Sequence, residues 1–168
     1  SNELDLPFRF PGSEAQWNGL TDMTDAGLLA EQMVWAATDP AGADEPFNIV
    51  NGDVFRWRWM WPRLAAYLGV DPARVEGPEG EPQPFEAQLT EHEGAWPAIA
   101  EQYGLVEPDI GRLASWWHTD ADLGRPMEVV TDMSKSREAG FLGYRRTERS
   151  FTDLFDRYRA DRLIPARS

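Results

Sequence analysis

The sequence contains no cysteine, only one lysine, Lys135, and only two histidines, His92 and His118. Without cysteine the chain can form neither a disulfide nor a thiolate metal site, and it has no cysteine nucleophile. The two histidines lie far apart and in no His-x-x-x-His or His-Glu-x-x-His spacing, so no metal site is predicted. The lack of disulfides is typical of proteins from a reducing cytoplasm, which is the predicted location.

Long apolar runs and an excess of positive charge are also lacking. No segment approaches the roughly 20 apolar residues that span a bilayer, and no secretory signal pattern opens the chain. The 168 residues carry 16 basic and 29 acidic side chains, and the net charge of −13 repels phosphate backbones and anionic lipid. We therefore expect no nucleic-acid partner and no membrane partner. The acidic residues form no paired glycosidase motif, so a solvated surface is the favoured interpretation.

Two features of nicotinamide-dependent enzymes are missing as well. No Gly-x-Gly-x-x-Gly or Gly-x-x-Gly-x-x-Gly turn is present that would hold a pyrophosphate on backbone N–H groups. No tyrosine stands four residues before Lys135, so a proton-transferring Tyr-x-x-x-Lys pair is absent. The sequence therefore predicts no catalytic residue and no cofactor site in this chain. The opening Ser1-Asn2 without methionine indicates a trimmed or cleaved chain, and removal of an initiating methionine is the alternative.

The hydrophobic pattern of the first half predicts a strand, helix and strand. Alternating apolar residues over Leu4–Phe10 predict a short strand. The spacing over Thr24–Thr38 predicts a helix that Thr24 or Asp25 caps, and the apolar run Pro46–Val50 predicts a buried parallel strand. Four prolines between Asp71 and Pro84 predict a surface loop.

Apolar residues at helical spacing predict most of the remaining elements. One helix runs from Trp57 to Leu68 and ends at Gly69, and Pro62 favours a start near residues 58 to 61 over a kink. Three further helices and one short strand are predicted: helices over Leu89–Tyr103 (broken or begun at Pro97), Ile110–Ala121 and Thr147–Leu163 (capped by Thr147), and a strand over Met127–Val130. Together these elements predict a single domain that mixes helices and short strands.

Two aromatic clusters allow more than one interpretation. The alternation of Trp57, Trp59 and Trp61 could form a sugar-binding platform, but helical spacing favours packing of Trp57 and Trp61 in the core. His118 follows two tryptophans and precedes Thr119-Asp120, where an imidazole could line a pocket or donate to a substrate oxygen. A histidine at a helix end that bonds a neighbouring backbone group is the favoured alternative.

Three stretches go beyond general periodicity. They are Phe47-Asn48-Ile49-Val50-Asn51-Gly52-Asp53-Val54-Phe55-Arg56-Trp57, then Asp132-Met133-Ser134-Lys135-Ser136-Arg137-Glu138-Ala139-Gly140-Phe141-Leu142-Gly143-Tyr144, and finally Ser150-Phe151 through to Ile164-Pro165. In order and spacing they resemble the C-terminal half of the progesterone-5β-reductase/iridoid-synthase-like group of extended short-chain dehydrogenases/reductases. The resemblance covers nearly the whole chain.

This resemblance implies the fold class and the activity of the intact protein. In the family, the N-terminal half holds the Rossmann sheet and the Tyr/Lys pair, and the C-terminal half adds an outer strand and a helical lid. The chain would then be a helix-rich α/β substrate-side portion with few short strands, forming one domain over residues 1–168. The intact protein would use NADP or NAD to reduce an enone or carbonyl, with the tyrosine stabilising the oxyanion.

The resemblance also implies substrate-binding residues and partners. Trp116, Trp117, His118 and Thr119, and less directly Met23, map to the family's substrate wall. The expected partners are a small-molecule substrate and either the missing Rossmann half or a second copy, which would cover the seam at Phe47–Val50. The alternatives are a non-catalytic module that binds a small molecule or a protein, and an unrelated enzyme.

Overall fold

Short helices and loops surround a two-stranded sheet in the computed structural model, which describes residues 3–166. The α-helices are α1 (Glu14–Asn18), α2 (Ala26–Thr38), α3 (Trp57–Tyr67), α4 (Phe85–Leu89), α5 (Trp96–Tyr103), α6 (Trp116–Leu123), α7 (Ser134–Glu138) and α8 (Thr147–Ala160). The strands are β1 (Phe8–Arg9) and β2 (Val75–Glu76), and 3₁₀ turns occupy Pro40–Gly42, Pro72–Arg74, Thr90–Ala95 and Ile110–Arg112. The predicted helix-rich α/β fold with few short strands is confirmed.

The sheet joins the beginning of the chain to the segment after α3. Strands β1 and β2 run parallel with Phe8 opposite Val75. The predicted strand over Leu4–Phe10 is too long, because the chain turns before it and Asp5 has a φ of 55°. The predicted loop over 71–84 is wrong at β2, because Val75 and Glu76 pair with β1. Neither of these two residues is a proline.

The extended segment Phe47–Val50 does not pair with a strand among the described residues, so that prediction is wrong for this chain. Side chains satisfy its backbone instead. The Thr24 hydroxyl donates to the Ile49 carbonyl at 2.8 Å, and the Gln32 amide donates to the Asn48 carbonyl at 3.0 Å. A strand needs a neighbouring strand for its ladder, and an apolar run alone does not supply one.

The predicted strand over Met127–Val130 is wrong for the same reason. Val129 N–H donates to the Leu20 carbonyl at 3.2 Å, and the Met127 carbonyl accepts from the Gln16 side chain at 2.5 Å. These single bonds hold the segment extended beside α1 without a ladder among residues 3–166.

Of the two long helices in the first half of the chain, α2 begins where its predicted cap places it, and α3 begins earlier than predicted. Asp25 caps α2 by accepting from the backbone N–H of Gly27 and Leu28 at 2.8 and 3.1 Å, which confirms that prediction. Helix α3 begins at Trp57 and not after it, and Pro62 lies inside it. Burial of the helix outweighs the lost hydrogen bond, since the unbonded carbonyl belongs to exposed Arg58 and can bind water.

The C-terminal helices are shorter than predicted. The segment over 89–103 forms a 3₁₀ turn followed by α5, which begins at Trp96 with Pro97 in its first turn as expected. The segment over 110–121 is divided into a 3₁₀ turn and α6. Helix α8 begins at Thr147 but ends at Ala160, so Leu163 lies beyond it.

The hydrophobic core lies between β1, α3, α6 and α8. Its buried residues are Phe10, Phe55, Trp57, Met60, Trp61, Leu64 and Leu123. Trp61 stacks on Phe8 with ring centroids 4.5 Å apart and donates its indole N–H to the Phe8 carbonyl at 3.0 Å. The core interpretation of Trp57 and Trp61 is therefore confirmed, whereas Trp59 is 41% exposed.

Candidate functional site

Helix α6 carries four of the five predicted substrate-binding residues, and its inner face is firmly held. The Trp116 indole N–H donates to the Glu93 carboxylate at 2.7 Å. One turn later, Asp120 accepts from the backbone N–H groups of Phe85 and Glu86 at 2.7 and 3.0 Å, which caps α4. Leu123 completes this face in the hydrophobic core. The inner face therefore fixes the position of the helix.

The outer face of α6 carries Trp117, His118 and Thr119, all exposed. Trp117 is 67% exposed, and its ring lies edge-on to the imidazole of His118 at 5.4 Å. His118 Nε2 lies 4.0 Å from an Asp122 carboxylate oxygen one turn along. The structure thus places an indole and an imidazole side by side. The favoured alternative, in which His118 bonds a backbone group, is not observed among the described residues.

Met23 lies on a separate segment, where it is 36% exposed. Its carbonyl accepts from Asn51 N–H at 2.7 Å. No hydrogen bond or ring contact within residues 3–166 joins Met23 to α6. The structure therefore brings Trp117, His118 and Thr119 together on one helix, leaves Met23 apart, and turns Trp116 inwards.

Behind Trp116 lies an open cavity of about 680 Å³ that no sequence pattern indicated. Its walls come from the end of α3, the turn before α5, α5 itself and the end of α8. Six aromatic rings line it: Tyr67, Trp96, Tyr103, Trp116, Phe155 and Tyr158. Its volume lies within the range of about 300 to 1,000 Å³ that small-molecule sites occupy.

Most charged groups around this cavity are already engaged. The Tyr103 hydroxyl donates to Glu3 at 2.6 Å, and this hydrogen bond to a carboxylate raises the pKa of Tyr103. Arg159 Nη1 donates to Asp156 at 3.1 Å, and its guanidinium lies 5.0 Å from the centre of the Tyr67 ring. The imidazole of His92 and the hydroxyl of Tyr158 have no hydrogen-bond partner in the described part of the chain.

The stretch Phe47–Trp57, the first of the three that resemble the family, connects several segments of the chain. Asn51 is 1% exposed, and its side chain accepts from Asp25 N–H at 2.7 Å and donates to the Thr147 hydroxyl at 3.0 Å. Its carbonyl accepts from Arg145 N–H at 2.8 Å. Next to it, Gly52 has a φ of 100°, a backbone conformation that residues with a side chain rarely adopt. Asn51 therefore ties α2, α8 and the segment before α8 together.

Asp53 in the same stretch supplies the cap of α8. Its carboxylate accepts from the Thr147 N–H at 2.9 Å and from the Thr147 hydroxyl at 2.6 Å. The predicted role of Thr147 as the cap is wrong, because its hydroxyl donates to Asp53 and Arg146 occupies the cap position. A carboxylate at the positive end of a helix dipole stabilises the helix.

The stretch Asp132–Tyr144, the second of the three that resemble the family, also has a structural role. Lys135 Nζ bonds Glu45 at 2.7 Å and the Pro46 carbonyl at 3.0 Å, and this pairing lowers the pKa of Glu45. The Asn48 side-chain amide donates to the Asp132 carbonyl at 3.0 Å. The two stretches therefore pack against each other, and their lysine serves as an ion-pair partner.

A charged cleft of about 390 Å³ lies at the N-terminal ends of α2 and α8 and includes Asp25, Arg145 and Arg149. Burial alone would raise the pKa of Asp25. Hydrogen bonds from the N–H groups of Leu28 and Gly27, together with the charge of Arg145, outweigh burial and lower this pKa. Asp25 thus stays ionised as a helix cap.

Residues 3–166 contain neither a metal-binding cluster nor a membrane-spanning helix. No group of three or more His, Cys, Asp or Glu side chains is arranged to hold a metal ion there. No helix in this described range is long and apolar enough to cross a membrane.

Comparison with known proteins decides the family. The model of the PRISE-like Rossmann-fold domain matches residues 5–165. The chain belongs to this family. The resemblance to progesterone-5β-reductase/iridoid-synthase-like proteins is therefore confirmed, and it rests on almost the entire chain.

Two plant proteins are among the curated relatives of this chain. An (S)-8-oxocitronellyl enol synthase from Nepeta cataria is 37% identical over 157 residues, which are 94% of this chain and 40% of that protein. A 3-oxo-Δ4,5-steroid 5β-reductase from Arabidopsis thaliana is 35% identical over 159 residues, again 40% of its length. The PRISE-like chain thus spans about two fifths of the relatives it matches.

Proposed function

We propose that this chain forms the C-terminal, substrate-side part of an NAD(P)H-dependent oxidoreductase that acts on enone or carbonyl small molecules. The match of the family model to residues 5–165 carries this proposal. A relative named as a 3-oxo-Δ4,5-steroid 5β-reductase acts on a conjugated enone by its name, and the other relatives are named as 8-oxocitronellyl enol synthases. Both names support an oxygenated, largely apolar substrate.

The outer face of α6 supports a role as the substrate wall. Trp117 offers a flat apolar surface, and His118 beside it can donate a hydrogen bond to a substrate oxygen. An indole that is 67% exposed adds little to the stability of this chain, so a ligand or the rest of the protein is its expected partner. Trp116 supports this wall from behind, and Thr119 extends it. The assignment of Met23 to the wall depends on how the rest of the protein packs.

We expect no nicotinamide dinucleotide site in this chain. Strand β1 leads into α1, whose N-terminal end is already capped by its own Ser13 hydroxyl, at 3.1 Å from Gln16 N. No glycine-rich turn offers free N–H groups to a pyrophosphate. The NADP or NAD of the intact protein would therefore be bound elsewhere, where it supplies hydride, and this part alone would not catalyse the reaction.

An exposed apolar stripe on α2 supports a macromolecular partner. Leu29, Met33 and Val34 lie at helical spacing, and the last two are 63% and 64% exposed. This stripe and the nearby unpaired segment Phe47–Val50 would be covered by the Rossmann half of the intact protein, or by a second copy of the chain. The same stripe favours the second candidate function, a non-catalytic module that binds a protein or a small molecule. A cytoplasmic location is part of the proposal.

The decisive experiment uses the complete protein that contains this chain. We expect NADPH oxidation, followed by its absorbance, when a 3-oxo-Δ4,5-steroid is added, and none with the 168-residue chain alone. We also expect the sequence upstream of Ser1 to contain a glycine-rich turn and a Tyr-x-x-x-Lys pair. An upstream sequence without these motifs, and a complete protein without oxidation of NADPH or NADH by any enone or aldehyde, would support the binding module instead.

A further inference from the structure

We propose that the cavity behind Trp116 is a second small-molecule site, which takes an uncharged, largely apolar molecule with one hydroxyl or carbonyl oxygen. This inference concerns the inner side of α6, whereas the proposed substrate wall is its outer side. It needs neither a nicotinamide cofactor nor the rest of the protein. It therefore stands or falls independently of the proposed function.

The size and lining of the cavity indicate a small organic ligand. At about 680 Å³ it is large enough for a molecule of drug or sterol size. Tyr67, Trp96 and Trp116 contribute aromatic surface, and Ile99, Leu68 and Ile110 add aliphatic surface. Binding is favoured when an apolar ligand displaces water from such apolar walls.

The free polar groups define what the ligand carries. His92 and Tyr158 both line the cavity, both are half-buried, and neither side chain has a partner among the described residues. A neutral imidazole and a phenol can each donate or accept one hydrogen bond. A hydroxyl or carbonyl oxygen on an apolar skeleton satisfies such a pair, whereas a pure hydrocarbon leaves both unpaired.

The charges around the cavity favour an uncharged ligand. Glu93 already accepts from Trp116 at 2.7 Å, and Glu3 accepts from Tyr103 at 2.6 Å. Arg159 is paired with Asp156 through Nη1 at 3.1 Å, while its buried Nε has no hydrogen-bond partner among the described residues and can donate to a neutral ligand oxygen. An anionic or cationic ligand would have to lose its hydration without gaining a free counter-charge, which is costly in apolar surroundings. Neutral molecules avoid this cost.

The position of Trp116 separates the two sites. Its indole lines the cavity and bonds Glu93, whereas the next residue, Trp117, does not line it and is 67% exposed. Consecutive residues of a helix point about 100° apart, so one helix can serve both sides. A ligand in the cavity would therefore contact Trp116 and leave Trp117 free.

Nile red tests the proposal because it is uncharged, polycyclic and apolar, and carries one ring carbonyl. Titration of the 168-residue chain should give one bound dye per chain and a rise in dye fluorescence. Ile99→Trp fills the cavity and should weaken binding at least about tenfold. Val130→Trp, an aliphatic-to-indole change at a position that is 57% exposed and does not line the cavity, should leave the affinity unchanged.

A milder variant guards against misfolding. Tyr158→Phe removes only the hydroxyl and should weaken Nile red binding about three- to tenfold, the effect of one hydrogen bond. Circular dichroism establishes that each variant is folded. The proposal is overturned if Nile red does not bind, if Val130→Trp weakens binding as much as Ile99→Trp does, or if folded Ile99→Trp and Tyr158→Phe chains both bind as the parent does.

Discussion

The two faces of α6 differ more than the sequence of the helix suggests. Trp116 and Trp117 are adjacent and identical, yet one indole is bonded to Glu93 and faces a cavity while the other is 67% exposed. Asp120 and Leu123 continue the inner face by capping α4 and filling the core. Inner residues therefore hold the helix in place, and outer residues are exposed. Substitutions on the two faces should therefore differ in their effect on stability.

The largest effect is expected where an indole is fully packed. Trp61→Ala removes the stacking on Phe8 and the hydrogen bond to the Phe8 carbonyl, so unfolding free energy should fall by about 3–5 kcal/mol. Urea unfolding followed by circular dichroism measures this change. Trp59→Ala on the exposed side of the same helix is the control, and an equal loss there would contradict the assigned core.

A smaller effect is expected at the cap of α8. Asp53→Ala removes both hydrogen bonds to Thr147 and should cost about 1–2 kcal/mol of unfolding free energy. Asp153→Ala is the matched control, since its carboxylate is 67% exposed and lies 3.5 Å from Arg149. If urea unfolding gives the same stability for both variants, Asp53 is not the cap.

The pH dependence of stability should identify the cap of α2. The pKa of folded Asp25 lies below its ordinary value of 3.8, so its contribution is complete above that value and is lost as pH falls through the folded pKa. Asp25→Asn retains a capping oxygen but cannot titrate. Urea midpoints of the parent should therefore decline more steeply below pH 3.8 than those of the variant. If the midpoints of both proteins decline in parallel with pH, the lowered pKa of Asp25 is refuted.

The smallest change in stability is expected on the outer face of α6. Trp117→Ala removes little buried surface and should change the unfolding free energy of the chain by no more than about 0.5 kcal/mol. The measurement is the same urea titration. A loss close to that of Trp61→Ala would mean that Trp117 is structural and that the two faces do not differ as described.

The elements predicted from sequence are those that local interactions determine. The Asp25 cap, the place of Pro97 in the first turn of α5 and the burial of Trp57 and Trp61 each follow from neighbours on the same helix. Predictions failed where a distant partner decides the structure. Phe47–Val50 has no neighbouring strand among residues 3–166, and Thr147 is bonded to Asp53, 94 residues away.

The candidate site was predictable only in part, for the same reason. The family resemblance selected α6, but helical geometry divides its residues between an inner and an outer face. The cavity depends on how α3, α5 and α8 leave space between them, and no spacing within one segment reports that space. Likewise, His92 and Trp116 approach the same cavity although 24 residues of sequence separate them.

The most direct test of the account is the kinetics of Trp117→Ala in the complete protein. If the outer face of α6 is the substrate wall, the KM for a 3-oxo-Δ4,5-steroid should rise about tenfold or more while the urea midpoint stays unchanged. Trp59→Ala, which removes a surface indole from α3, should alter neither quantity. An unchanged KM in a folded Trp117→Ala enzyme would contradict the account.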